Sequence, residues 1–315
     1  MSDVGFAGLI AAVFTPMGPD GSLRLKSVPG LVDRLEAHGV RGVFVCGSTG
    51  EGMSMTVEER METAEAYAHA CSGRLRTMVQ AGHDCLRDAA RLARHAESLG
   101  VDAISATPPS YFRPRTVGEV LDCCEAVAAA APDTPFFYYH IPALTGVEID
   151  AAQLLRRARS RIPKFAGLKH SHPDLASAAA CLRVPGDFEI LYGCDESLLG
   201  ALATGVHGAV GSTYNFAAPL YLKMIAAFAR GDLEEARHCQ DLAASMIDVI
   251  LKTCGRSGMK AMMALCGLEC GPSRLPLAGP AVGSVAELRH RLEALGFFSW
   301  FGPDKVEERP LEVEH

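Results

Sequence analysis

The chain has 315 residues, of which 49% are hydrophobic and 21% charged, and its formal net charge is −7 at pH 7. This composition is typical of a globular protein and excludes a disordered chain, a collagen-like repeat and a coiled coil. The negative charge leaves no broad basic surface for phosphate backbones or anionic lipid, so we expect neither a nucleic-acid partner nor a membrane partner. The length allows two domains, or one large α/β barrel with an appendage.

The first apolar run, from Gly5 to Phe14, has no basic segment before it and is much shorter than a membrane span. We therefore expect no signal peptide and no transmembrane helix. The eleven cysteines are scattered and show no paired CxxC spacing. This pattern favours reduced thiols and a cytoplasmic protein.

Eight apolar or β-branched runs end in Gly, Pro or small polar residues and are predicted as strands. In chain order they are Gly8–Pro16, Gly42–Gly50, Arg76–Gly82, Ala103–Pro109, Pro135–Pro142, Phe165–Ser171, Phe188–Cys194 and Gly208–Asn215. Segments with helical periodicity lie between them, for example Thr56–Cys71 and Leu86–Leu99. Apolar strands that alternate with helices indicate a parallel sheet covered by helices.

Eight such units predict an α/β fold, a closed (β/α)₈ TIM barrel over residues 1–230 that carries the active site. An open doubly wound sheet is the alternative. From Leu233 the pattern is helical only, with breaks at Gly255, Gly258 and Gly271–Pro276. We therefore expect residues 231–315 to form a C-terminal helical extension.

In a TIM barrel the chemistry gathers at the C-terminal ends of the strands. Lys169 is the one lysine of the chain inside a predicted strand. A lysine at the barrel mouth is partly desolvated, and desolvation favours the neutral amine that can attack a carbonyl and form a Schiff base. The alternative is a lysine that pairs with a carboxylate or extends to the rim.

A Schiff-base enzyme also needs a proton carrier and an anchor for the rest of its substrate. Tyr139, at the end of the fifth predicted strand, can carry a proton, although an aromatic residue in a strand is more often part of the core. The loop Gly47–Gly52 places the hydroxyls of Ser48 and Thr49 ahead of a helix, where a carboxylate or phosphate can bind. A plain strand-to-helix turn is the alternative for this loop.

Other polar clusters allow less specific interpretations. Asp195 and Glu196 can bind the hydroxyls of a polyol or cap the next helix. The run His83–Cys85 has no second His or Cys cluster at ligand spacing, so we expect no metal site. Cys266 and Cys270 are interpreted as packing residues on one face of a helix.

In combination these residues resemble the N-acetylneuraminate lyase and dihydrodipicolinate synthase superfamily of class I aldolases, from Gly8 to about Trp300. The GSTGEG loop resembles the family's pyruvate-carboxylate loop, which implies that Ser48 and Thr49 bind that carboxylate. Tyr139 in YYHIPALTG matches the family's catalytic tyrosine, and Lys169 in GLKHS matches its Schiff-base lysine.

Further stretches are similar to N-acetylneuraminate lyases of the animal type. They are YYHIPALTGV, YGCDE, GSTYN and GPSRLPL. The resemblance implies that the substrate's hydroxylated chain is bound by Ser171, the Gly193 backbone, Asp195, Glu196 and Ser212. Leu144 occupies the place where dihydrodipicolinate synthases carry an arginine, which disfavours a dicarboxylate substrate.

The resemblance therefore implies reversible cleavage of N-acetylneuraminate to N-acetylmannosamine and pyruvate, without metal or cofactor, by a homotetramer. Three alternatives remain, because a fold does not assign a substrate. The first is a related Schiff-base enzyme, acting as an aldolase or dehydratase on another 2-oxo-3-deoxy sugar acid or on the dihydrodipicolinate synthase substrate. The others are a barrel enzyme that binds phosphate at Gly47–Gly52 and a sensor without turnover.

Overall fold

The computed structural model of the protein describes residues 5–300, which contain eight parallel strands in a closed barrel. The strands are β1 Gly8–Ala12, β2 Gly42–Val45, β3 Arg76–Gln80, β4 Ala103–Ala106, β5 Phe136–His140, β6 Phe165–His170, β7 Glu189–Tyr192 and β8 Gly208–Gly211. The barrel closes because β1 pairs with β8, in register from Gly8 opposite Gly208 to Ala11 opposite Gly211. The prediction of a TIM barrel is confirmed, and an open sheet is excluded.

Every strand lies inside its predicted run, but the runs extend further because their last residues form the loops at the barrel mouth. The second predicted strand reached Gly50, whereas β2 ends at Val45. Cys46 has a φ of +57°, a left-handed conformation that does not continue a strand. The eighth reached Asn215, but Tyr214 already begins a helix.

The helices of residues 5–300 follow the strands in alternation. They are α1 Val28–Ala37, α2 Val57–Cys71, α3 Leu86–Ser98, α4 Val117–Ala128, α5 Pro142–Thr145, α6 Ala151–Ala158, α7 Leu175–Leu182, α8 Leu198–Thr204, α9 Tyr214–Ala229, α10 Leu233–Cys254, α11 Gly258–Leu265 and α12 Ser284–Ala294. A capping box between Thr56 and Glu59 fixes the start of α2, directly after the GSTGEG loop.

The strands bury two different cores, because successive side chains of a strand point to opposite faces. The barrel interior is filled by residues that include Phe44, Phe137 and Tyr139. A larger core lies between the barrel and the helices, and Tyr138 belongs to it. The alternation places Lys169 on the interior face and His170 on the helix-facing side, as its contact with Ser177 of α7 confirms.

Beyond the barrel, α10 packs along α9 and against α12. The predicted break at Gly255 is confirmed, but the one at Gly258 is wrong, since Gly258 begins α11. The helix predicted for Cys266 and Cys270 is also wrong: both are buried, but they follow the end of α11. Residues 301–315 of the predicted extension lie outside the described residues. No helix in the described range is both long and apolar enough to cross a bilayer.

Candidate active site

Lys169 and Tyr139 lie side by side at the mouth of the barrel. They are partners in the register of β5 and β6, so both side chains point to the interior. The Lys169 Nζ lies 4.2 Å from the centroid of the Tyr139 ring and 4.0 Å from that of Phe44. Only 3% of Lys169 and 2% of Tyr139 is exposed.

The surroundings of the Lys169 amine are mainly aromatic. Among residues 5–300 it forms no salt bridge, so the alternative of a carboxylate-paired lysine is wrong for the part of the chain that is described. Burial raises the pKa of the Asp195 carboxyl, and the charge of Lys169 partly opposes that rise. A buried amine without a counter-ion is the form of lysine that can act as a nucleophile.

The loop after β2 brings one hydroxyl to this phenol and a second to the loop after β8. The Ser48 Oγ lies 3.3 Å from the Tyr139 hydroxyl, and the Thr49 hydroxyl donates a hydrogen bond of 3.0 Å to Ser212 after β8. The loop turns back on itself through a bond from the Gly52 N–H to the Gly47 carbonyl. Hydroxyls and backbone N–H groups together suit a carboxylate.

The carboxylate of Asp195 is buried beside the loop after β8. Its Oδ2 accepts hydrogen bonds from the Thr213 N–H at 3.0 Å and the Thr213 hydroxyl at 2.6 Å. The alternative of a helix cap is wrong, because no side chain caps the start of α8. Burial raises the pKa of Asp195, and the Thr213 bonds oppose that shift. Its Oδ1 is also buried and has no hydrogen-bond partner within residues 5–300.

Two glycines leave room for the side chains of Asp195 and Ser171. A Cβ at Gly211 would lie 1.9 Å from the Asp195 Oδ1, so the end of β8 must be without a side chain. In the same way, a Cβ at Gly193 would lie 2.0 Å from the Ser171 Oγ. Glu196 is exposed next to Asp195. The structure thus brings the predicted site residues to one end of the barrel, where β5 and β6 end and on the loops that follow β2, β6, β7 and β8.

Comparison with known proteins identifies the family. Residues 5–295 match the dihydrodipicolinate synthetase family. The chain belongs to this family. The superfamily resemblance predicted from the sequence is thereby confirmed.

Among the members of this family, the chain is 40% identical to an N-acetylneuraminate lyase of Gallus gallus, over 91% of this chain and 96% of that protein. It is 42% identical to an N-acetylneuraminate lyase of Danio rerio, over 90% and 95% of the two chains. The solved structure of Proteus mirabilis N-acetylneuraminate lyase superposes with a TM-score of 0.89 and 38% identity, and covers 92% of this chain and 99% of that chain.

Some functional contacts of this family member were missed from the sequence. Phe44 was interpreted only as part of a strand, yet its ring lies against the Lys169 amine. Thr213 fixes Asp195, and Gln240 of α10 donates to the Asp195 carbonyl at 3.3 Å. The burial of Lys260 could have been predicted from the sequence, because Lys260 is a lone charge in the apolar helix sequence GMKAMMAL. Such a pattern indicates a buried, paired charge.

Two histidines follow the catalytic candidates on the opposite faces of their strands. His140 and His170 are buried with ring centroids 5.4 Å apart. Burial, together with the neighbouring imidazoles, lowers the pKa of His140 to about 3 and that of His170 to about 4. Both rings are therefore neutral at pH 7. The His170 Nε2 lies 3.1 Å from the Ser177 Oγ.

We expect these histidines to make folding sensitive to acid. In the unfolded chain these histidines become protonated near pH 6.5. In the folded chain His170 becomes protonated only near pH 4. The contribution of these neutral histidines to the free energy of unfolding is therefore complete above pH 6.5 and decreases as the pH falls towards 4. For His170 this amounts to about 2 kcal/mol lost between pH 7 and pH 5.

Urea unfolding at pH 7 and pH 5 measures this loss. His170→Asn should reduce the pH dependence by that amount, whereas replacement of the exposed His290 by Asn should leave it unchanged. An equal pH dependence in all three proteins would contradict the prediction.

Proposed function

We propose that this protein is an N-acetylneuraminate lyase, a carbon–carbon lyase that reversibly cleaves N-acetylneuraminate to N-acetylmannosamine and pyruvate through a Schiff base on Lys169. One observation carries the proposal. A buried, unpaired lysine amine lies 4.2 Å from the ring of a tyrosine whose hydroxyl contacts a loop serine. The named relatives from vertebrates and Proteus mirabilis support the choice of substrate.

In the first step the neutral Lys169 amine adds to C2 of the 2-oxo acid and water leaves, which gives an iminium. The iminium is an electron sink, so the C3–C4 bond can break with its electron pair moving into a C2–C3 enamine. A metal ion is not needed for this electron flow. The rings of Phe44 and Tyr139 lie against the amine, and only 3% of Lys169 is exposed to water.

As the C3–C4 bond breaks, the C4 hydroxyl becomes the aldehyde of the sugar and loses its proton. We assign the removal of this proton to the Tyr139 hydroxyl, with the Ser48 hydroxyl 3.3 Å away as its hydrogen-bond partner. The enamine then gains a proton at C3. Hydrolysis of the resulting imine releases pyruvate and restores the Lys169 amine.

The two ends of the substrate are assigned to opposite sides of the amine. Ser48 and Thr49 would bind the C1 carboxylate, since their loop supplies hydroxyl and N–H donors. The hydroxylated chain would lie towards Asp195, whose Oδ1 has no hydrogen-bond partner among residues 5–300. Residues assigned to the same chain are Ser171, the Gly193 backbone, Glu196 and Ser212.

Lys169→Ala should abolish the pyruvate adduct and the turnover, because no other amine occupies this position. The measurement is intact mass after borohydride reduction with pyruvate, followed by pyruvate release from N-acetylneuraminate. Lys164→Ala is the matched control, since Lys164 is exposed just before the same strand. It should keep both the adduct and the activity.

The alternatives give different results in this experiment. An adduct without pyruvate release would move the substrate to another 2-oxo sugar acid. A folded wild-type protein without an adduct would exclude the Schiff-base mechanism and favour a phosphate-binding enzyme or a sensor.

Tyr139→Phe should keep the adduct but reduce kcat for cleavage by roughly 10²- to 10⁴-fold, the usual effect of removing a general acid–base. The ring and its packing against Phe44 remain in this variant. Single-turnover cleavage measures the effect. A rate within about threefold of wild type would contradict the role of the hydroxyl in proton transfer.

We further propose that residues 1–230 and 231–315 form a catalytic barrel and a helical extension, and that the chain assembles as a cytoplasmic homotetramer with no nucleic-acid or membrane partner. The eleven cysteines are all free, which supports a reducing compartment. The family resemblance supports the tetramer. Light scattering of the purified protein should give four times the chain mass of 33.5 kDa, and a monomer mass would contradict the assembly.

A further inference from the structure

A buried ion pair connects the C-terminal helices to the loop that carries Ser48 and Thr49. The Lys260 Nζ of α11 donates to the Glu51 Oε1 at 2.9 Å, and the two side chains are 3% and 2% exposed. The Lys260 ammonium also donates to the Pro272 carbonyl at 2.8 Å. The other oxygen of Glu51, Oε2, accepts from the Arg274 N–H at 2.7 Å. Both oxygens of one loop residue are therefore occupied by the C-terminal segment.

Stability alone does not account for this pair. Removing two charges from water costs several kcal/mol per ion, so replacement of a buried pair by apolar residues is often neutral or stabilising. Burial lowers the pKa of Lys260, and the hydrogen bond that its ammonium donates to Glu51 opposes that shift. A pair with this energetic balance is better explained by the specific geometry that it imposes.

The backbone of the loop shows which geometry is imposed. Cys46 and Glu51 both have a φ of +57°, and they are the only non-glycine residues in the described range with positive φ. Such a conformation is unfavourable for a residue with a side chain and persists only where the surroundings enforce it. Glycine at position 51 would remove the strain, but it would also remove the carboxylate that binds Lys260.

The strained residues bracket the loop that contains the two hydroxyls. On one side the Thr15 hydroxyl donates to the Gly50 carbonyl at 2.7 Å. On the other side the Arg274 side chain fastens the C-terminal segment to the barrel, through Glu59 at 2.5 Å and the Ser54 carbonyl at 3.1 Å. The C-terminal segment can therefore act as a fixed support for Glu51.

We propose that Glu51 and Lys260 are positioning residues for the substrate's carboxylate. Their ion pair fixes the loop so that the hydroxyls of Ser48 and Thr49 face the carboxylate next to the carbon attached to Lys169. This inference rests on the proposed function. It assigns to the C-terminal helices a part in pyruvate binding, although they supply no group that touches the substrate.

The test compares Lys260→Met, Glu51→Gln and the double variant with wild type. The readouts are the pyruvate concentration for half-maximal adduct formation, the rate of trapping at saturating pyruvate, and the melting temperature. We expect the single variants to raise the half-saturating pyruvate concentration by roughly tenfold to a hundredfold, because misplaced binding groups lose affinity on this scale. The rate at saturation should stay within about twofold, because Lys169 and Tyr139 are unchanged.

The double variant separates positioning from a purely structural role. It contains no unpaired buried charge, so it should regain most of the melting temperature lost in Lys260→Met. If a single variant does not fold, the pyruvate dependence can still be measured on the double variant. The half-saturating pyruvate concentration should nevertheless stay raised. Recovery of both quantities together, or a wild-type pyruvate dependence in all the variants, would overturn the inference while leaving the proposed function intact.

Lys252→Met is the matched control. Lys252 lies on α10, pairs with Asp248 at 2.8 Å and is 70% exposed, so its loss should change none of the three readouts. A shift in pyruvate dependence equal to that of Lys260→Met would also overturn the inference. A wild-type protein that forms no adduct would refute the proposed function, and the inference with it.

Discussion

Closure of the sheet between β1 and β8 is the constraint on which the site depends. A parallel barrel brings the C-terminal ends of all its strands to one rim. Only closure makes the first and last of these ends neighbours, so that Thr49 after β2 can donate to Ser212 after β8, 163 residues away. The loop for one end of the substrate and the loop for the other thus meet around Lys169.

Two lysines show how the protein separates a reactive amine from a structural cation. Lys169 and Lys260 are equally buried, at 3% exposure. Lys260 faces a carboxylate and a carbonyl, and its ammonium donates a hydrogen bond to each. Lys169 faces two aromatic rings, and no carboxylate within the described residues forms an ion pair with it. Because the two lysines are equally buried, the difference in their chemistry comes from the groups that they contact.

The C-terminal segment contacts two loops of the candidate site, the loop after β7 and the loop after β2. Gln240 of α10 donates to the Asp195 carbonyl and accepts from the Leu199 N–H, beside the loop after β7. Lys260 of α11 and the Arg274 backbone contact Glu51 in the loop after β2. The loops of a barrel are its least constrained parts. Helices packed across them can therefore fix groups that they do not themselves supply.

The sequence by itself determined the order of the eight strands and the residues at their ends, because apolar periodicity and Gly or Pro boundaries are local signals. It also determined that Lys169 and His170 face opposite sides, since strand geometry alternates. It did not determine where the strands end: Cys46, which follows β2, has a left-handed backbone, and its thiol contacts the Arg60 carbonyl of α2 at 3.6 Å.

The tertiary structure alone decided which partners the polar residues have. Asp195 binds Thr213, at the start of α9, rather than the start of α8, and Glu51 binds Lys260, 209 residues away. No local pattern in the sequence specifies such a pairing. It depends on how the barrel closes and on where the C-terminal helices pack against it.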